Sequence, residues 1–120
     1  MMSYSAVVND HFLNPRNVGP MEAPDARGQA GSPQAGEFAV LHLRVRRGRI
    51  AEARFQTFGC GPAIAACSLL TEWVRGKRLD QARALTCTEL VEMLGGLPED
   101  KLFCAELALA ALRDALAGLP

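Results

Sequence analysis

The sequence predicts an α+β domain: a small antiparallel sheet of about three strands with helices packed on one of its faces. Three observations carry this. Residues 38–58 alternate apolar and polar side chains on either side of an Arg47-Gly48 turn, the pattern of a hairpin with one dry and one wet face. Beyond residue 60 the spacing is helical rather than alternating. Strands precede helices instead of interleaving with them, so a sheet covered by later helices is expected.

Taken in order, Tyr4 to Leu13 reads as a short helix with Val7, Val8, Phe12 and Leu13 as its apolar positions. It must stop by Asn14, because Pro15 disfavours helical geometry in the residue before it. From Asn14 to Gly36 the chain is rich in Gly, Pro, Asn and Ala and reads as loop, with one short edge strand near Gln29 to Ser32. Irregular stretches of that length inside a small domain are often functional. In the hairpin, Phe38 to Val45 turns Ala39, Leu41, Leu43 and Val45 inward and His42 and Arg44 outward. Ile50 to Phe58 returns with Ala51, Ala53 and Phe55 facing in. Pro62 suits the first turn of a helix running to Val74, since its missing N–H would be unpaired there anyway. Leu79 to Leu85 makes another short helix. Thr86 with Glu89 forms a capping box that opens Leu90 to Leu94, with Gly95-Gly96 as the stop. A last amphipathic helix covers Ala105 to Leu116.

The bulk numbers bound the function. A chain of 120 residues and 12.9 kDa reads as one domain over residues 1–120, large enough to bury a core unaided. Net charge is zero, so no global field favours nucleic acid or an anionic membrane. Arg44, Arg46, Arg47 and Arg49 cluster around Gly48 and read as a solvated hairpin tip. Met1 to Leu13 has no long apolar run, and nowhere do 18 apolar residues follow one another. A cytoplasmic protein, neither secreted nor membrane-bound, is therefore expected, and its four cysteines point to metal, sulfur chemistry or burial rather than disulfides.

Cys60 is the first candidate. It lies in Gly59-Cys60-Gly61-Pro62 between a strand and a helix, where glycines allow close backbone approach and a helix N-terminus favours the thiolate. The alternative, a cysteine buried at a tight corner, makes poorer use of two glycines. Cys104 directly precedes the last helix, with Lys101 close by, and serves equally well as a ligand or as a small apolar residue. Cys67 has Ile64, Leu70 and Trp73 at helical offsets and reads as core; Cys87 lies inside the Thr86 capping box. Glu37 opens the first hairpin strand, either as an oxygen ligand or base or as a solvated strand-end charge. His11 and His42 have no ligand spacing to the cysteines. The pattern is not the paired C-x-x-C of a closed zinc site.

Read together, these segments resemble the NifU/IscU-type iron–sulfur cluster assembly scaffold family over nearly the whole chain. Tyr4-Ser5, Asp10-His11 and Asn14-Pro15-Arg16-Asn17-Val18-Gly19 are similar to its N-terminal signature. Ala51-Glu52-Ala53-Arg54-Phe55 and Thr57-Phe58-Gly59-Cys60-Gly61-Pro62-Ala63-Ile64-Ala65 are similar to its central one, and Leu70-Thr71-Glu72-Trp73-Val74-Arg75-Gly76-Lys77 continues it. The resemblance implies a NifU/IscU-like fold. It implies a scaffold rather than an enzyme, one that accepts sulfur from a cysteine desulfurase, binds iron, assembles a [2Fe–2S] cluster and passes it on. An Hsp70-type chaperone is the further partner implied, although the family's Leu-Pro-Pro-Val-Lys segment stands here as Leu97-Pro98-Glu99-Asp100-Lys101, with two acidic residues in the middle.

The family's ligand set is three cysteines, an aspartate two residues after the first, and a histidine just before the third. Cys60 matches the second cysteine and Cys104 the third. Ala35 stands in place of the first, Glu37 in place of the aspartate and Phe103 in place of the histidine. One chain therefore offers Cys60, Cys104 and at best Glu37, whereas a [2Fe–2S] cluster needs four ligands, normally thiolate or imidazole. Two chains would supply four thiolates, so a cluster shared across a homodimer is one expectation; zinc on two thiolates, a carboxylate and water is another. The competing expectation is a regulatory or interaction paralogue that keeps the scaffold's fold and docking surface and binds no cofactor.

Overall fold

A computed structural model describes residues 3–120; Met1 and Met2, which open both the segment expected to carry no leader and the expected 1–120 domain, lie outside the described residues. Ser5 starts the first helix by accepting the Val8 N–H at 3.0 Å, so α1 runs Ala6–Leu13, and Asn14 closes it by donating to the Asp10 carbonyl. The loop that follows is less irregular than its composition suggests. Phe55 donates its N–H to the Asn17 carbonyl (2.9 Å) and accepts from Gly19 (2.8 Å), which lays Val18 alongside the sheet.

The sheet contains β1 (Ala26–Ser32), β2 (Glu37–Arg46) and β3 (Arg49–Phe58), antiparallel and in the order β1-β2-β3. Its three strands match the expected α+β class. β1 begins at Ala26, three residues before the expected edge strand, because its pairing is set by packing rather than by alternation. Gly28 faces the last helix so closely that a β-carbon there would overlap the Ala111 carbonyl and the Ala115 backbone. A Pro33–Ala35 turn, capped by the Ser32 hydroxyl, leads into β2. β2 and β3 join through Arg47 (φ 54°) and Gly48 (φ 73°), the paired left-handed residues of a type I′ hairpin.

Two facing assignments change. Between Arg44 and Val45 the register slips: Arg44 pairs with Glu52 and Val45 with Ile50, leaving Ala51 as the extra residue of a bulge. Ile50 is thereby turned into the core and Ala51, expected inside, is exposed. His42, expected on a wet face, is 7% exposed. It lies on the central strand with Arg27 and Arg54 as its cross-strand neighbours, one on either side, so that face is not open to water at this position. Neither ring nitrogen meets a hydrogen-bond partner.

Five α-helices lie among the described residues. α1 precedes the sheet; after it come α2 (Gly61–Val74), α3 (Leu79–Ala84), α4 (Cys87–Met93) and α5 (Leu102–Ala117). Thr86 caps α4 with the reciprocal Glu89 contact, so the helix starts immediately at Cys87 rather than at Leu90. α5 starts at Leu102, three residues earlier than expected, after a single tight turn over Glu99–Lys101. α2 packs across β3 while α5 crosses β1 and β2, all on one face. Between them lies a continuous core that includes Leu41, Leu43, Phe55, Leu70, Leu109 and Leu112. No helix among the described residues is long and apolar enough to cross a membrane.

Gly28→Ala is expected to push α5 away from β1 and destabilise the fold by about 1–3 kcal/mol, the usual range for overpacking, read as a lower urea midpoint. Burial holds the imidazole of His42 below its ordinary value of 6.5; the Arg27 charge acts the same way, while the Gln56 amide opposes it without meeting hydrogen-bond geometry at the ring. His11 is lowered too, again chiefly by burial. Both stay neutral in the folded chain while the unfolded chain takes up protons first. Stability should therefore be complete above about pH 6.5 and decline as pH falls below it. His42→Gln should flatten that decline in denaturation curves taken from about pH 7.5 to 5, a range that spans the ordinary imidazole pKa of about 6.5.

Candidate functional site

Cys60 is the residue that caps α2. β3 ends at Phe58, the chain turns through Gly59, and Cys60 takes an extended conformation (φ −79°, ψ 172°) before the helix starts at Gly61-Pro62. Its carbonyl accepts from Ala63 and Ile64, and its side chain makes no cap bond. The sulfur is thus free to face away from the helix that the residue starts. Gly61 has no side chain for a specific reason: a β-carbon there would meet the Phe12 ring at 3.2 Å. Phe12 belongs to α1 and walls a cleft of about 220 Å³ with Tyr4, Val8, Pro62 and Cys60 itself.

Cys104 comes from the opposite direction. Because α5 begins at Leu102, Cys104 lies in its first turn rather than ahead of it, and it is fully buried. Its sulfur is 3.3 Å from that of Cys60, close enough for either thiol to donate to the other. Two cysteines separated by 44 positions in sequence are therefore in direct contact at the starts of two helices. The electrostatics differ from the simple expectation that a helix start favours thiolate. Burial pushes the Cys104 thiol well above its ordinary value; the Cys60 thiol and the Glu37 carboxylate push the same way, and Lys101 only partly opposes them.

Glu37 opens β2 beside this pair. Its Cγ lies 3.9 Å from where a β-carbon on Gly59 would sit. Ala35 is exposed in the turn before β2, and Phe103 stands next to Cys104 with 38% of its surface in solvent and Lys101 above its ring. Neither can donate to a metal. Among the described residues no group of three His, Cys, Asp or Glu side chains is placed to hold a metal ion. The donor set of one chain is a pair of thiols with a carboxylate nearby, short of the four ligands of a [2Fe–2S] cluster.

The other cysteines stay apart from the pair. Cys67 is buried in α2, and burial pushes its thiol up to about 12. Cys87 is half-buried at the start of α4, its thiol also raised by burial. His11 is closed into the α1–α2 contact, with Nδ1 2.7 Å from the Ser68 hydroxyl. Phe12 and Phe58 escaped the sequence reading as parts of this region. Phe58, 63% exposed, stacks on Phe38 two residues before Cys60. The signal available was two aromatic residues at element ends beside a Gly-Cys-Gly turn, which by itself is weak.

The fold belongs to one recognised class. Residues 3–119 match the family described as NifU-like N terminal domain, and the chain belongs to that family. It is similar to the iron–sulfur cluster assembly scaffold protein IscU of Escherichia coli (strain K12), 46% identical over 120 residues that cover 97% of this chain and 93% of that protein. It is likewise similar to iron–sulfur cluster assembly scaffold protein IscU 1 of Archaeoglobus fulgidus, 45% identical over 113 residues covering 94% and 74%. Its fold is similar to the crystal structure of a nitrogen-fixing NifU-like protein (N-terminal) from Brucella abortus, with a TM-score of 0.75 over 96% of this chain and 92% of that one at 18% identity.

A thiol-alkylating reagent should label Cys60 well ahead of Cys67 and Cys104, at least about tenfold faster than either, since accessible thiols react and buried ones are inert. Mass spectrometry of the labelled peptides reads the order directly.

Proposed function

We propose that this chain works in iron–sulfur cluster assembly as a scaffold or carrier, with Cys60 and Cys104 as its cargo-holding residues and Glu37 as an accessory oxygen donor. The observation that carries this reading is the 3.3 Å contact between two helix-start sulfurs, one of them half-buried beside a cleft. The cargo is iron, a [2Fe–2S] cluster or zinc. Softness favours thiolate for all three, and the harder carboxylate ranks behind it. With two thiols per chain, a cluster is completed by a second copy of the chain, so the loaded form is a homodimer. Sulfur comes from a cysteine desulfurase. An Hsp70-type chaperone would meet the Leu97–Lys101 segment, where Glu99 and Asp100 make the surface more acidic. Such a protein holds and hands on its cargo without turnover of its own, in the cytoplasm, as a single domain over residues 1–120.

The short donor set favours one rival reading. A protein with Ala35 and Phe103 at two donor positions keeps the family's fold and docking surface as a regulatory or interaction paralogue and carries no cargo.

Anaerobic reconstitution with iron and sulfide separates them. The scaffold reading expects sulfide-to-iron charge-transfer absorption, about one cluster per two chains, and loss of both in Cys60→Ser. A colourless product that also holds no zinc removes it. The paralogue reading expects a desulfurase pull-down that survives Cys60→Ser combined with Cys104→Ser; capture that needs the thiols removes that reading instead.

A further inference from the structure

We infer that Cys60 and Cys104 form a nucleophilic and resolving thiol pair that exchanges with small organic disulfides and closes to an intramolecular Cys60–Cys104 disulfide. Three features of the site carry this. The sulfurs are already 3.3 Å apart, so reaching a bond of about 2.0 Å takes a movement smaller than one side-chain rotamer change. The two thiols are unequal in access: Cys60 is half-buried at the rim and Cys104 fully enclosed behind it, so an external reagent meets Cys60 first. Beside Cys60 lies the cleft walled by Tyr4, Val8, Phe12 and Pro62, mainly apolar and able to receive the organic part of a disulfide. No sulfur contact joins the remaining cysteines to this pair: Cys67 is sealed in the core and Cys87, half-buried, lies on another helix.

The chemistry balances in two exchanges. The Cys60 sulfur attacks one sulfur of the external disulfide, its thiol proton passing to the departing half, which leaves as a free thiol; a mixed disulfide remains on Cys60. Cys104 then attacks the Cys60 sulfur, its proton again leaving with the second organic thiol. Two protein thiols are oxidised by two electrons and one organic disulfide is reduced to two thiols. Gly59 and Gly61 on either side of Cys60 give the corner the freedom to close. The exchange stands on this geometry alone. Its consequence rests on the proposed cargo site: closure consumes both thiols of the donor set at once, so loading is possible only in the reduced chain.

Oxidised glutathione is the probe, applied to the full chain without metal, with products mapped by mass spectrometry after acid quench and circular dichroism recorded to show that each protein is folded. In the wild type the expected product is a Cys60–Cys104 disulfide with two glutathione thiols released and only a transient adduct. In Cys104→Ser the adduct on Cys60 should persist at least about tenfold longer, and in Cys60→Ser Cys104 should remain unmodified, as the order of attack requires. A wild-type chain that retains glutathione on Cys60 without closing overturns the pairing. Modification of Cys104 in Cys60→Ser as fast as that of Cys60 in Cys104→Ser overturns the order. Reconstitution of reduced and closed wild-type chains with iron and inorganic sulfide is read separately. Closure without any reconstitution of the reduced form keeps the exchange and removes the cargo site, whereas reconstitution without closure does the reverse.

Discussion

The contact on which the site depends is the close approach of helix α5 to strand β1. Gly28 leaves no side chain between the strand and the backbone of Ala111 and Ala115, so the helix lies directly on the sheet. From that seat α5 extends back to its first turn and delivers Cys104 beneath the corner where β3 passes into α2. The other half of the arrangement is fixed by α2, held on β3 by buried residues such as Ala65, Ala66 and Leu70. Small residues dominate both helices at these contacts. They bury less area each than Leu or Phe, but they let helix and sheet come close enough for two helix starts to converge. The sulfur pair is thus a product of core packing, and its separation is set far from the sulfurs themselves.

That origin explains what the sequence made legible. The hairpin was readable because alternation and a Gly-containing turn are local signals, and the Thr86–Glu89 box because capping is local too. Gly28 carried no such signal: a glycine in a run of small and polar residues looks like loop until the helix that rests on it is known. The same holds for Ile50 and Ala51. Straight alternation places Ala51 inside, and only the bulge opposite Val45 exchanges the two. His42 was misplaced because alternation describes a two-layer arrangement with open water beyond it. On a central strand flanked by arginines, the outer face is partly covered as well.

For the site, residue types and helix positions were legible, and the meeting of Cys60 with Cys104 was not, since no spacing rule links positions 44 residues apart. The electrostatic expectation also needed the structure. A helix start does stabilise a thiolate, but its effect is modest and local, and burial of Cys104 outweighs it. The half-buried Cys60, which caps α2, and the enclosed Cys104, inside the first turn of α5, thus occupy different environments although both lie at helix starts.

The margins of the sheet have a consequence for how copies of this chain can meet. Along β3, the Asn17–Gly19 segment occupies the backbone groups of Phe55; along β1, the Asp114 carboxylate takes the Gln29 N–H at 2.9 Å. An incoming strand would find those ladder positions already satisfied, so growth by β-augmentation, the ordinary route to sheet-mediated aggregation, is discouraged on both flanks. The exposed apolar surface lies instead at the sheet's end, where Phe12, Phe58 and Phe103 face water around the cysteine corner.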